Sequence, residues 1–243
     1  MRILLLAALL ATTAGCTAGA QGNADNAARS SRSFQVGAFD KIDLAGSPDV
    51  VVAVGGQPSV RAEGEAADLE RLEIAVVDNE LRISMRPGSG SWNWGSHRGI
   101  TIHVTVPSLQ AAAIRGSGDI NIDQVQGQAF AATVSGSGDL DVRQLRLASN
   151  ASFNITGSGG IRAAGGAPRT SASLNGSGDL SLSGFETADA TVSVVGSGDV
   201  ALRATGTAAV QLTGSGGVTI AGGARCTIAK TGSGDVSCGA TGG

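Results

Sequence analysis

The sequence predicts an all-β chain wound as a parallel β-helix of about 20 residues per coil. Three observations predict it. A Gly-Ser-Gly tripeptide recurs at a period near twenty, aliphatic and polar residues alternate on both sides of each copy, and aromatic rings are almost absent. Of 243 residues, 38 are Gly and only seven are aromatic, with no Tyr. Without a Gly at every third position this is not collagen, and 42% hydrophobic against 15% charged residues is too apolar for a disordered polar tract. A core so poor in rings must be thin and regular, built from Ala, Val, Leu and Ile.

The first element is a leader. Met1-Arg2 followed by Ile3 to Leu10, almost wholly Leu and Ala, reads as a charged n-region and an h-region too short to remain as a bilayer span. Residues 1–20 are therefore expected to be a signal peptide. Two cleavage sites compete. Thr13-Ala14-Gly15-Cys16 resembles a bacterial lipobox, departing from it at Thr13 where Leu is usual, and predicts a lipidated Cys16. Ala18-Gly19-Ala20 offers ordinary cleavage before Gln21. Thr17 rather than Asp after the Cys resembles the outer-membrane sorting pattern, so the expected location is an outer-membrane lipoprotein, or else the periplasm or cell surface. A lipid anchor would be the sole membrane attachment. Residues 21–33, small and polar without periodicity, read as a tether.

The 17 Lys and Arg against 20 Asp and Glu leave a net charge of −3, and loss of Arg2 with the leader makes it −4. Nucleic acid is not an expected partner. Of the three Cys, Cys226 and Cys238 remain once Cys16 is lipidated or removed. In an oxidising compartment they are either a disulfide or two small buried hydrophobes.

Residues 34–110 form a more irregular β section. Ala45-Gly46-Ser47-Pro48-Asp49-Val50 looks like a degenerate copy of the corner. Strands are expected at Val50 to Val54, Ser59 to Glu63, Leu72 to Val77, Glu80 to Arg86 and Gly99 to Val106, with a helical turn at Ala67 to Arg71. Asp78-Asn79 reads as a hairpin turn and Gly88 to Gly99 as a loop. These strands are antiparallel additions packed on the stack or continuations of it.

Residues 111–243 are the regular coils. Gly-Ser-Gly followed by Asp or Gly starts at Gly116, Gly136, Gly157, Gly176, Gly196, Gly214 and Gly232, with spacings of 20, 21, 19, 20, 18 and 18. Two positions before each corner stand Ile114, Val134, Ile155, Leu174, Val194, Leu212 and then Lys230, and four positions after its start stand Ile120, Leu140, Ile161, Leu180, Val200, Val218 and Val236. Such alternation puts one face inside and one in water, with like residues stacked about 4.8 Å apart. The corner Gly residues accept positive φ, and Ser or Asp closes each turn through local side-chain hydrogen bonds. Lys230 breaks the inward pattern in the last coil and reads as an end cap.

The order of Phe39-Asp40-Lys41-Ile42, Gly46-Ser47 with Asp49-Val50-Val51-Val52, Leu81-Arg82-Ile83, a Trp-containing loop, Thr105-Val106-Pro107-Ser108-Leu109 and serial Gly-Ser-Gly-Asp corners resembles the bacterial putative auto-transporter adhesin family, head GIN domain. The resemblance runs from about Phe34 to the C-terminus. It implies a right-handed β-helix exported to the periplasm or cell surface, and it implies no established reaction.

Candidate sites are few. Asp119 stacks on Asp139 and Asp179 on Asp199, which raises calcium as a lesser reading beside turn chemistry, because one carboxylate per coil is thin for an oxygen-seeking cation. The loop holds Trp92, Trp94, His97 and Arg98, an array that either contacts a sugar or partner or folds back over the solenoid. His103 alternates with Thr101 and Thr105 on the polar strand face and reads as solvated. The two His lack zinc spacing, and the abundant Ser carries no triad information. No catalytic residue, metal or cofactor is therefore assigned. The chain reads as a non-enzymatic adhesin or interaction module with an envelope or surface partner, a glycan among the candidates. A carbohydrate-binding or carbohydrate-processing protein using Trp92 and Trp94 is the alternative.

Overall fold

Each corner glycine lies in register with the one on the next coil, and this column organises the whole molecule. In the computed structural model, which describes residues 29–87 and 99–239, Gly46, Gly116, Gly136, Gly157, Gly176, Gly196 and Gly214 pair in succession.

The strands are β1 (Arg29–Phe34), β2 (Lys41–Gly46), β3 (Asp49–Val54), β4 (Ser59–Glu65), β5 (Leu72–Val77), β6 (Glu80–Met85), β7 (Thr101–Val106), β8 (Ala111–Gly116) and β9 (Ile120–Ile122). They continue as β10 (Val125–Gly136), β11 (Asp139–Gly157), β12 (Gly160–Gly176), β13 (Asp179–Gly196), β14 (Val200–Gly214), β15 (Gly217–Ala221), β16 (Arg225–Thr231) and β17 (Asp235–Cys238). One short helix, α1 (Ala66–Arg71), joins β4 to β5. The long strands bend. Along β11 and β12 the ladder breaks between Val142 and Leu145 and again between Arg146 and Asn150, so each regular coil presents three faces.

The N-terminal section both continues the stack and decorates it. β2 and β3 form an ordinary coil whose inner neighbours are β8 and β9. Their outer neighbours are β6 and β7, also parallel, so the outermost coil comes later in the sequence than the one it covers. Antiparallel β5 on β6, β4 on β7 and β1 on β4 finish this end. Asp78 and Asn79 both take positive φ, 52° and 62°, as a tight hairpin between β5 and β6 requires.

One expectation is corrected. The sequence reads as a tether over residues 21–33, but Arg29 to Ser33 belong to β1, which begins at Arg29 and runs antiparallel along β4 through Phe34. An edge strand held by main-chain pairing needs no alternating pattern, so its polar composition conceals it. Arg32 makes one side-chain contact outside the strand and one within it. Arg32 donates to the Leu69 carbonyl at 3.1 Å and lies over the Phe34 ring, 4.8 Å from its centroid.

Inward positions make a single aliphatic core from Ile42 to Ile220. Three of the four buried rings fit inside because small residues flank them. Phe153 lies between Ala132 and Ala172, Phe185 stacks on Gly165, and Phe130 pairs with Ala151. Thr170 is the weak point, because its hydroxyl is buried between Ala151 and Ala190 with no hydrogen-bond partner among the described residues. Thr170→Val, which removes the unpaired oxygen at nearly constant volume, is expected to stabilise the fold by about 1 kcal/mol in chemical denaturation.

At the far end β16 and β17 pair only with β14 and β15, and Ile228 is left exposed. Lys230 takes the inward column above Leu212 and donates to the Gly234 carbonyl at 2.8 Å, tying one strand of the last coil to the next corner. Its place is that of an end cap.

Candidate functional site

The three faces differ in charge. The face leading into the glycine corner has a central outward column of Thr133, Asn154, Ser173, Ser193, Gln211 and Ala229. The columns on either side are equally small. From Ala131 to Thr231 the eighteen outward positions of these three columns hold Ser, Thr, Asn, Gln, Ala and one Val, with no Asp, Glu, Lys or Arg. Parallel pairing spaces the side chains about 4.8 Å apart between coils and about 6.6 Å along each strand. Charge returns only at the margins. Arg169 and Asp189 mark the far edge, and Asp43, buried and ion-paired with Arg115, marks the N-terminal end.

Beside this face runs the corner ridge of exposed Ser and Asp. Here the structure corrects the turn chemistry, because hydrogen bonds join coil to coil where local closure was expected. Backbone N–H groups of Ser137, Ser158 and Ser197 each donate at 2.9 Å to the carbonyl of the first corner Gly of the preceding coil. The Asp119 carboxylate accepts the N–H of Asp139 at 2.8 Å, that of Asp139 accepts Gly160 N–H at 2.7 Å, and that of Asp199 accepts Gly217 N–H at 2.7 Å. Asp179 reaches Asp199 N–H at 3.4 Å. In-register stacking sets the next coil's donor above each carboxylate, so the side chain serves its neighbour. This engages oxygens that a calcium site at Asp119, Asp139, Asp179 and Asp199 would need. Among the described residues no group of three His, Cys, Asp or Glu is placed to hold a metal ion.

The remaining sequence candidates are scattered. Trp92, Trp94, His97 and Arg98 lie outside the described residues, as does Cys16. The strands flanking that loop, β6 and β7, pair with β2 and β3, which are themselves joined by the corner Gly46-Ser47-Pro48. His103 is exposed on β7. Cys226 and Cys238 are bonded through their sulfurs with Cα atoms 6.5 Å apart, on the columns of Ala208 and Ile220, so the bond spans the end of the core. The charge-free face was not singled out from sequence, although Ser, Thr and Asn between the inward aliphatics are its signal.

This geometry defines a parallel β-solenoid whose ordered outer faces are its candidate working surfaces. The chain belongs to the family described as putative auto-transporter adhesin, head GIN domain, whose model matches residues 38–224. Solved structures share the fold. A putative adhesin from Bacteroides fragilis superposes with a TM-score of 0.77 at 21% identity, covering 86% of this chain and 96% of that one. A putative adhesin from Parabacteroides distasonis gives a TM-score of 0.70 at 19% identity, with the same two coverages. A putative lipid binding protein from the same organism gives 0.67 at 19%, again covering 86% and 96%. No curated protein matches the chain.

Proposed function

We propose that this protein is an exported, non-enzymatic interaction module of the bacterial cell envelope, presenting its charge-free face to a repetitive, hydroxyl-rich partner such as a surface glycan. The family and its structural neighbours carry adhesin names, and the leader with Cys16 favours lipid anchoring. The observation that carries the reading is the eighteen-position array of uncharged side chains. A flat lattice held by main-chain ladders loses little conformational entropy on binding, and many weak hydrogen bonds in register add as a multivalent contact. The absence of charge from the face avoids desolvating ions against a neutral polyol.

A glycan array tests it. The mature protein is expected to bind, and Ser173→Arg combined with Ser193→Arg should lower the signal at least tenfold while the melting temperature holds. Trp92→Ala with Trp94→Ala should leave binding in place. Loss with the Trp changes alone would move the activity to the loop, and binding to no glycan would remove the reading. Mass spectrometry of the mature N-terminus tests the anchor: a lipid-bearing Cys16 supports it, and an unmodified chain from Gln21 excludes it.

A further inference from the structure

Among the described residues four strands pair on one side only: β1, β5, β16 and β17. Three of them are guarded. β1 carries Arg29 and Arg32, β16 carries Arg225 and Lys230, and β17 is four residues long with Asp235 at its start. Charge and shortness of this kind discourage a further strand from adding to an open edge. β5 has no such guard. Its six residues, Leu72-Glu73-Ile74-Ala75-Val76-Val77, hold a single charge, and Glu73 is already ion-paired with Arg86 at 3.0 Å.

The open edge has a definite pattern. Arg86 N–H donates to the Arg71 carbonyl at 2.9 Å, and in an antiparallel ladder every second residue bonds the same neighbour. Glu73, Ala75 and Val77 therefore turn their backbone groups toward β6, and Leu72, Ile74 and Val76 turn theirs to the open side. Side chains alternate in step. Leu72, Ile74 and Val76 pack with the core, whereas Glu73, Ala75 and Val77 are exposed, Val77 at 40%. Opposite charges stand at the two ends of the strand. Arg71 precedes it and Asp78 follows it, both exposed, and neither makes a salt bridge among the described residues.

We infer that β5 pairs antiparallel with β5 of a second copy of this chain, about a two-fold axis at Ala75. In that register Ile74 of each copy exchanges both backbone hydrogen bonds with Val76 of the other, so the open edge is satisfied. The same pair carries the inward aliphatic row across the join. Arg71 falls beside Asp78 of the other copy, and the symmetry makes this opposite-charge contact twice. A parallel pairing would instead set Arg71 against Arg71 and Asp78 against Asp78. An unrelated peptide strand has no reason to match both charges, whereas a second copy matches them by symmetry. β5 extends the sheet of β6, β2 and β8 that becomes the charge-free face, so the dimer sets two such faces on one sheet. The pairing does not depend on what that face binds.

A join of two six-residue strands is small beside the ~1,600 Å² of a standard interface, so association in the micromolar range is expected. Sedimentation velocity of the full mature chain from about 1 to 100 µM tests it, and the parent should pass from monomer to dimer. Ala75→Lys and Ala75→Glu each put like charges on the axis and should weaken the dimer about tenfold, with unchanged circular dichroism because Ala75 is exposed. Mixing the two variants should restore it. Ala75→Cys should cross-link two chains under mild oxidation, since a pair on the axis without mutual hydrogen bonds has Cα atoms about 4.5 Å apart. A parent that stays monomeric at about 100 µM, whether its own chain covers β5 or nothing does, would overturn the inference. A dimer indifferent to Ala75→Lys, no recovery on mixing, or no cross-link through Ala75→Cys would each do the same.

Discussion

Gly176→Ala is expected to lower stability by about 3–5 kcal/mol, a large share of the 5–15 kcal/mol typical of a folded domain. The residue sits at φ +137°, and an added Cβ would lie 2.1 Å from the Gly157 carbonyl oxygen. That oxygen cannot step aside, because it accepts the Ser177 N–H at 2.9 Å, while the Gly176 carbonyl accepts the Ser197 N–H at the same distance. Relieving the clash separates two coils and strains both bonds. In a solenoid each coil contacts only its neighbours, so the damage spreads along the axis through the next corner, where a Cβ on Gly196 would meet the Gly176 oxygen at 2.1 Å. Gly127→Ala is the control, since nothing lies within 4 Å of its added Cβ. Urea denaturation should separate the two variants clearly, and midpoints within experimental scatter of each other would refute the requirement for glycine at the corner.

The same corner marks the boundary between what was legible in the sequence and what was not. A fixed period places Ile114 under Val134 and Val134 under Ile155 without further information, because alternation and spacing are local properties. The stacking order of the N-terminal coils is not local. Lys41 pairs with Glu80 on one side and Ala111 on the other, and nothing near any of the three residues specifies which coil lies outermost. The Asp corners misled for a related reason. A carboxylate one residue past a tight turn resembles a local cap, and only the coil in register with it supplies the backbone donor it serves. The interaction surfaces depend likewise on registration across coils. Ser173 beside Ser193 becomes part of a face only once the ladder is known.

Phe153→Ala should cost about 3–5 kcal/mol, the usual penalty for deleting a buried ring. Phe153 is fully buried, and its ring meets that of Phe185 edge-on, 5.6 Å between centroids at 85°. A solenoid is poorly able to collapse around the void. The coils on either side are held at the spacing of a hydrogen-bonded ladder, and the residues facing the gap are Ala132 and Ala172, whose side chains are too short to reach into it. The loss should therefore fall at the upper end of the range, with the edge-on contact to Phe185 forfeited as well. Ala172→Leu in the parent should destabilise by about 1–3 kcal/mol through overpacking against the ring. Placed in the Phe153→Ala background the same change should restore part of the lost stability, because the added volume then enters a vacancy. Opposite signs for one substitution in two backgrounds would establish that the alanines above and below the Phe153 ring make room for it. A penalty of equal size in both backgrounds would show that the small residues of this column are set by the backbone alone.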